Sequence, residues 1–252
     1  MKDALKSKKE ILDRLRRAKQ AALFLDFDGT LSPIVRDPGS AKIPGETRVL
    51  VEKLAERMHV YVVTGRALKD IRARAPLTGV EYAGNHGLEY TREGRAHRGR
   101  VSSHALEDIR QAVRASKSLS AIAGAFAENK KYSVSFHYRN VAAQQVPEFM
   151  RIVKAILWPI VARGRTEVLE QKKVIEIRVR GANKGAFVLA ALKRLPKGAL
   201  GIYVGDDTTD EDAFKALQDG ITIRVGEKKE SAAQYFVESQ TEVVRLLEML
   251  LQ

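Results

Sequence analysis

The chain has 252 residues, no cysteine and a formal net charge of +13. Its length fits one large domain or two smaller ones. Hydrophobic residues at 44% can build a sizeable core, and the lack of cysteine excludes disulfides and thiolate-bound zinc. No run reaches the ~18–20 apolar residues of a membrane helix. The first twenty residues are basic but lack the apolar stretch of a secretory signal. The expectation is a soluble, cytoplasmic, monomeric protein with no membrane partner. The positive charge admits nucleic acid or a small anionic substrate as partner. Lys and Arg are spread along the chain without an aromatic-interleaved basic block, which disfavours nucleic acid.

In chain order, residues 1–20 place Leu5, Ile11, Leu12 and Leu15 as a mostly solvated helix would. Residues 21–27 (AALFLDF) form a short apolar run ending in acidic residues, which reads as a buried parallel strand. A helix is expected over 46–58, a strand over 59–63 (HVYVV), a short helix over 67–75 and a strand over 80–83. The middle differs. Residues 103–119 read as a helix, and 133–139 (SVSFHYR) alternate like a half-exposed antiparallel strand. Residues 146–161 read as a helix containing Pro159, and 166–171 with 174–180 as a hairpin across Lys172 and Lys173. Alternation then returns: helix 183–194, strand 200–204 (LGIYV), helix 210–217, strand 221–225, helix 241–251. The expected class is α/β, with a Rossmann-like parallel sheet covered by helices on both faces. A smaller α+β domain of order helix–strand–strand–helix–strand–strand interrupts it. The boundaries read as core 1–100, insert 101–181 and core 182–252.

Four places carry chemistry. Asp26 and Asp28, in DFDGT, follow the first buried strand, where ligands of open α/β sheets bind. One residue apart, they would leave a regular strand on the same side. Two buried like charges need a cation or a proton, and magnesium prefers such hard oxygen ligands. Thr64, Gly65 and Arg66 follow the second strand, offering a hydroxyl, backbone amides and a cation to a phosphoryl group. Lys184 follows Asn183, a helix cap, and a lysine in a first turn opposes the helix dipole unless it faces an anion. GDDTTDED, residues 205–212, crowds five carboxylates after LGIYV, of which Asp206 and Asp207 are hardest to explain as caps. Each has a bland alternative alone: an acidic turn, ordinary turn chemistry, an exposed lysine, a capped helix start.

Together, in this order, the four resemble the haloacid dehalogenase (HAD) superfamily of phosphotransferases, over roughly residues 21–98 and 183–252. The resemblance implies a HAD core, with Asp26 as nucleophile, forming an aspartyl-phosphate, and Asp28 as general acid/base. It implies phosphate-holding roles for Thr64 and Lys184. It also implies a Mg2+ site made by Asp26, Asp206 and the backbone carbonyl of Asp28, supported by Asp207 and Asp210. The stretches DFDGTLSPI, YAGNHG, ENKKYSVSFHYR, VIEIRVRGANKG and GDDTTDEDAF are similar to trehalose-6-phosphate phosphatases across both core and insert. That similarity implies an insert acting as a substrate-selecting cap, with Glu128, Lys130, Arg139 and Glu176 binding sugar. Asn85 and His86 sit in the matching core loop, and Arg66 is a further substrate contact. One departure is Arg178-Val179-Arg180-Gly181-Ala182, where the family often has proline. Competing functions are hydrolysis of sucrose phosphate, a mannosyl-phosphoglycerate or a hexose phosphate. A non-catalytic regulator and a basic nucleic-acid-binding protein are alternatives of another class.

Overall fold

Leu23, Leu25, Val60, Val62, Ile202 and Val204 point one way from a parallel sheet, while Ala22, Phe24, Tyr61, Val63 and Tyr203 point the other. This period-two division of buried runs is what a sheet covered on both faces requires. The computed structural model describes residues 1–35, 37–171, 173–226 and 230–252.

The elements before the insert are β1 (Lys2–Asp3), α1 (Lys8–Arg17), β2 (Ala21–Leu25), α2 (Gly45–Ala55), β3 (His59–Val63), α3 (Leu68–Arg74), β4 (Val80–Gly84), β5 (Glu89–Arg92) and β6 (Arg95–Arg98). The insert holds α4 (Ser103–Ala115), β7 (Phe126–Asn129), β8 (Ser133–His137), α5 (Val146–Val161), β9 (Thr166–Gln171) and β10 (Val174–Val179). The chain then adds α6 (Lys184–Leu192), β11 (Leu200–Gly205), α7 (Glu211–Ala216), β12 (Ile221–Val225), β13 (Tyr235–Val237) and α8 (Glu242–Leu250). Two units result: Met1–Arg98 with Asn183–Gln252, and Gly99–Ala182.

In the first unit, among the described residues, nine strands run in the order β1-β13-β12-β11-β2-β3-β4-β5-β6. From β1 to β4 every pairing is parallel; β5 and β6 extend the sheet antiparallel. One face is packed by residues of α1, α2, α3 and α8, the other by α6 and α7. The N-terminal helix is less solvated than its composition suggested. Ile11 and Leu12 are buried, and Arg14 donates to the carbonyls of Asp219 and Gly220 at 2.9 and 2.8 Å.

In the second unit, an antiparallel sheet of order β7-β8-β10-β9 is packed by α4 and α5. Val134, Phe136, Ile175 and Ile177 are buried, with Ile109 of α4 and Phe149, Val153 and Leu157 of α5. The register sets Glu128 and Glu176 on either side of Ser135, so a polar row occupies the opposite face. Asp108 of α4 is buried and accepts from Arg163 at 2.7 Å and Arg165 at 2.8 Å.

Several expectations need correction. The first strand ends at Leu25, not at residue 27, because Phe27 begins a turn in which Gly29 has φ +87°. The helix expected to residue 119 stops at Ala115 and continues as the 3-10 segment Ser116–Ala121. The strand expected to be half exposed is buried at every position, including Ser133 and Ser135. Helix α5 runs through Pro159 as expected. Of the pair expected to turn the β9–β10 hairpin, Lys172 lies outside the described residues and Lys173 has φ +66°. Among the described residues, no helix is long and apolar enough to cross a membrane.

Candidate functional site

The site begins where β2 and β11 lie side by side. From β2 the chain moves to β3 on one flank, and from β11 to β12 on the other. The loops diverge and open a crevice at the carboxyl ends of the two strands, the usual ligand position in such sheets. Asp26 leaves β2 with the parity of Ala22 and Phe24, toward the face covered by α6 and α7. Its amide donates to the Val204 carbonyl at 2.9 Å, which fixes it beside Gly205 and Asp206.

Lys184 comes from the opposite direction, in the first turn of α6. The Asn183 side chain caps that helix by accepting from the Ala186 amide at 2.6 Å. Lys184 is buried, and its Nζ donates to Asp26 Oδ1 at 2.7 Å and to Asp210 Oδ1 at 2.8 Å. The adverse position of this lysine on the helix dipole is thus offset by two carboxylates. Gly185 allows the arrangement: a Cβ there would lie 2.3 Å from the Asp212 carbonyl oxygen, so any side chain would push α6 from α7.

Asp210 accepts at Oδ1 from the Tyr203 hydroxyl at 2.6 Å and at Oδ2 from the Asp207 amide at 2.9 Å. Asp26, Asp206 and Asp210 each bring a carboxylate oxygen within 4.8 Å of the others, and all three are buried. Burial pushes Asp26 well above the ordinary carboxylate range. Lys184 opposes this, and the Asp210 and Asp206 charges push further. Burial also disfavours the Lys184 ammonium, but Asp210 and Asp26 outweigh it and hold the group charged more firmly than an ordinary lysine. One lysine among three carboxylates leaves surplus negative charge, which a divalent cation would neutralise. The donor set fits such an ion, being carboxylate oxygen throughout. Gly29 also fits: a Cβ there would lie 2.4 Å from Asp206 Oδ2, so only glycine lets the DFDGT turn and the Asp206 carboxylate meet.

Asp28 is placed differently from the same-side expectation, since β2 has already ended. Its carboxylate accepts from Arg66 Nε at 2.7 Å and Nη2 at 2.6 Å. Arg66 also donates to Asp70 Oδ2 at 2.9 Å and to the Pro38 carbonyl at 3.0 Å, and Arg74 Nε donates to both Asp70 oxygens at 2.8 Å. Burial disfavours the Arg66 charge, but Asp28 and Asp70 more than compensate and raise its proton affinity. Arg66, expected to touch substrate, is engaged with protein.

Thr64 is buried at the end of β3, where its hydroxyl accepts from the Arg66 amide at 3.2 Å. The β4 loop is knitted to it: the Asn85 amide donates to the Arg66 carbonyl at 2.7 Å and the His86 amide to the Thr64 carbonyl at 2.9 Å. Asn85 and His86 are buried with φ of +49° and +56°, and Asn85 Nδ2 donates to Glu89 at 3.0 Å. Such left-handed backbone in non-glycine residues costs energy and is retained where neighbours fix it. The side chains of Asp28 and Asp207 are not part of the acidic cluster. Asp207 caps the short 3-10 turn Thr208–Asp210.

The sugar-binding candidates lie in the second unit. His137 Nε2 donates to Glu128 Oε2 at 3.0 Å, and Lys130 Nζ approaches Glu176 Oε2 at 3.5 Å. Glu176 is buried within β10. Arg139 is exposed.

Sequence reasoning passed over Tyr203, Asp70, Arg74 and Arg224. Arg224 is buried in β12 and donates to the carbonyls of Asp206 and Asp207 and to Glu211, holding the acidic loop in place. Its signal was available: a lone arginine in the buried run ITIRV must find acceptors.

Residues 24–241 match the trehalose-phosphatase family model. Trehalose-phosphate phosphatase of Mycobacterium avium is 39% identical over 213 residues, covering 80% of this chain and 52% of that protein. The chain thus spans about half the length of the curated relatives it first matches. A crystal structure titled as a trehalose-6-phosphate phosphatase related protein has a TM-score of 0.78 at 28% identity, covering 92% of this chain and 97% of that one. A haloacid dehalogenase-like hydrolase from Bacteroides thetaiotaomicron shares the fold, with a TM-score of 0.61 at 15% identity over 91% of this chain and 99% of that one. The chain has a haloacid dehalogenase-like fold and belongs to the trehalose-phosphatase family.

Proposed function

We propose that this chain hydrolyses trehalose 6-phosphate to trehalose and phosphate, with Asp26 as nucleophile and Mg2+ as cofactor. The observation that carries the reading is the Lys184 ammonium bridging Asp26 and Asp210 beside Asp206, in a chain of the trehalose-phosphatase family. The M. avium relative is a trehalose-phosphate phosphatase, which supports this substrate.

Lys184 occupies Asp26 Oδ1, so Oδ2 attacks phosphorus. The bond from phosphorus to the sugar oxygen breaks as Asp28 gives that oxygen a proton. Asp28 then takes a proton from water, which attacks the aspartyl-phosphate, releases phosphate and restores Asp26. One carboxylate cannot serve as nucleophile and proton carrier at once, which accounts for the pair. Thr64 and Lys184 hold phosphoryl oxygens. A magnesium ion held by Asp26, Asp206 and Asp210 supplies charge neutralisation for the dianionic phosphate. Arg66 sets the direction of the Asp28 carboxylate, and Asn85 and His86 shape the loop beside Thr64. Glu128, Lys130, Arg139 and Glu176 bind sugar hydroxyls, with carboxylates accepting and cations donating. Residues 101–181 act as the substrate-selecting domain. The cysteine-free chain suits a cytoplasmic enzyme.

The test is a steady-state assay over trehalose 6-phosphate, sucrose 6-phosphate and hexose phosphates, with and without Mg2+. Preference for a monosaccharide phosphate would overturn the substrate, and equal turnover after chelation would overturn the cofactor. Glu128→Ala and Glu176→Ala should raise KM for trehalose 6-phosphate while p-nitrophenyl phosphate is still hydrolysed. Unchanged KM in both would remove the sugar-binding assignment.

A further inference from the structure

Among the described residues, the largely polar face of the second unit's sheet also carries the apolar Phe126, Leu169 and Val174, and Phe126 is the most exposed of the three. Phe126 opens the edge strand β7 and shares its face with Glu128, yet it is apolar and 45% exposed. Its register partner across the sheet is His137, and the two rings stack at 4.3 Å between centroids with an interplanar angle of 7°. His137 is in turn pinned through Nε2 to Glu128. One face of the Phe126 ring is thus covered by the imidazole, and the residue is left about half exposed.

A flat aromatic surface held next to carboxylates has a particular chemical meaning. A pyranose ring presents an apolar face of C–H groups and a rim of hydroxyls. The first packs on an aromatic plane, and the second is taken up by acceptors such as Glu128 and Glu176 and by donors such as Lys130. An exposed phenylalanine with no such partner would waste apolar surface at a sheet edge, where polar residues are the safer choice.

We propose that the Phe126–His137 stack is a platform for the apolar face of one sugar ring of the substrate, and so a specificity determinant distinct from the hydroxyl-binding carboxylates. This rests on the sugar-phosphate reading above. The platform contributes to sugar binding and touches no reacting atom, so its loss raises KM and leaves kcat in place.

The experiment compares wild type, Phe126→Ala, Phe126→Tyr and Trp158→Ala with trehalose 6-phosphate and with p-nitrophenyl phosphate. Trp158 is 81% exposed on α5 and serves as the control for loss of a surface aromatic. Phe126→Ala should raise KM for trehalose 6-phosphate about 3- to 10-fold, the worth of one stacked aromatic contact. Turnover of p-nitrophenyl phosphate should be unchanged, showing an intact fold and phosphate site. Phe126→Tyr should restore KM, and Trp158→Ala should leave it unaltered. If wild type hydrolyses trehalose 6-phosphate and Phe126→Ala has the same KM, the platform is refuted while the sugar-phosphate reading survives. If wild type hydrolyses only p-nitrophenyl phosphate, both are refuted.

Discussion

Arg66 holds Asp28 through two near-parallel hydrogen bonds of 2.7 and 2.6 Å, and is itself held by Asp70 and the Pro38 carbonyl. In the proposed mechanism Asp28 delivers a proton to one oxygen and takes one from another, so its carboxylate has to be aimed, and a bidentate guanidinium can aim it. Lysine has the charge but not the fork. Arg66→Lys should lower kcat by about 10- to 100-fold, the usual cost of an ångström of misplacement, with a smaller change in KM. Arg74→Lys, one step further out, should have a weaker effect in the same direction. Steady-state kinetics separates the two variants, and a change confined to KM in Arg66→Lys would return the residue to the substrate-contact role.

Lys184 is the only cation donating to Asp26 and Asp210 among the described residues. Replacing it by methionine leaves two buried carboxylates facing each other without compensation. Lys184→Met should destabilise the metal-free protein by about 3–5 kcal/mol, as measured for broken buried ion pairs. Urea unfolding in the presence of a chelator reads this directly. A loss below about 1 kcal/mol would mean that the cluster tolerates its charge by other means.

The acidic triad makes a second, activity-free prediction. If Asp26, Asp206 and Asp210 take up a divalent ion only when folded, Mg2+ must stabilise the native state. At a hundredfold excess over Kd the gain is about 2.7 kcal/mol, enough to raise Tm by several degrees. Asp206→Asn should abolish most of the shift. Asp26→Asn should end turnover while leaving a folded protein, because it removes a charge the metal-free cluster carries in excess. Thermal melts with and without Mg2+ check the stability outcomes, and a phosphatase assay checks the loss of turnover.

Asp108 offers a test of pH linkage far from any metal ligand in sequence. The hydrogen bond from Arg165 holds its carboxyl below the ordinary range, burial works against this, and Arg163 adds to the lowering. A depressed folded-state pKa means that the group stabilises the protein above its unfolded value, about pH 4, and that this is lost as pH falls through the folded value. Asp108→Asn should therefore cost stability at pH 7 and converge with wild type in acid. Both arginines are more than a third exposed, so the loss at neutral pH should be about 1 kcal/mol. Melting curves at pH 7 and pH 3 measure the convergence; a difference that persists in acid would rule out the charge as its source.

Much of this was legible in the residues, for physical reasons. The strands AALFL and LGIYV are buried on both faces, so they read as continuous apolar runs and declare a parallel sheet. The acidic residues that follow them are costly in any other place, which made Asp26 and Asp206 visible. The oddity of Lys184 on its helix dipole pointed to the anions it meets. What escaped was either polar throughout or short. The β5–β6 hairpin, EYTR and RAHR, has no apolar period to read, and β1 and β13 are two and three residues long. The β8 strand was expected to expose one face, because Ser133, Ser135 and His137 are polar, but burial does not require apolar side chains when they are small or paired. Tyr203 and Arg224 lie within strands, where a side chain's alternation shows its face but not the partner waiting there.

The order of strands also bears on synthesis. β2 is central and gains β3 as a neighbour soon after it emerges, but its other edge pairs with β11, at Leu200–Gly205. Throughout translation of the intervening segment, the edge of β2 that β11 will fill stands open to any passing extended chain. Asp26, the proposed nucleophile, is carried just beyond the tip of that waiting strand, so its cluster with Lys184, Asp206 and Asp210 cannot form before the C-terminal half arrives. A stalled or truncated product would be inert and prone to aggregate.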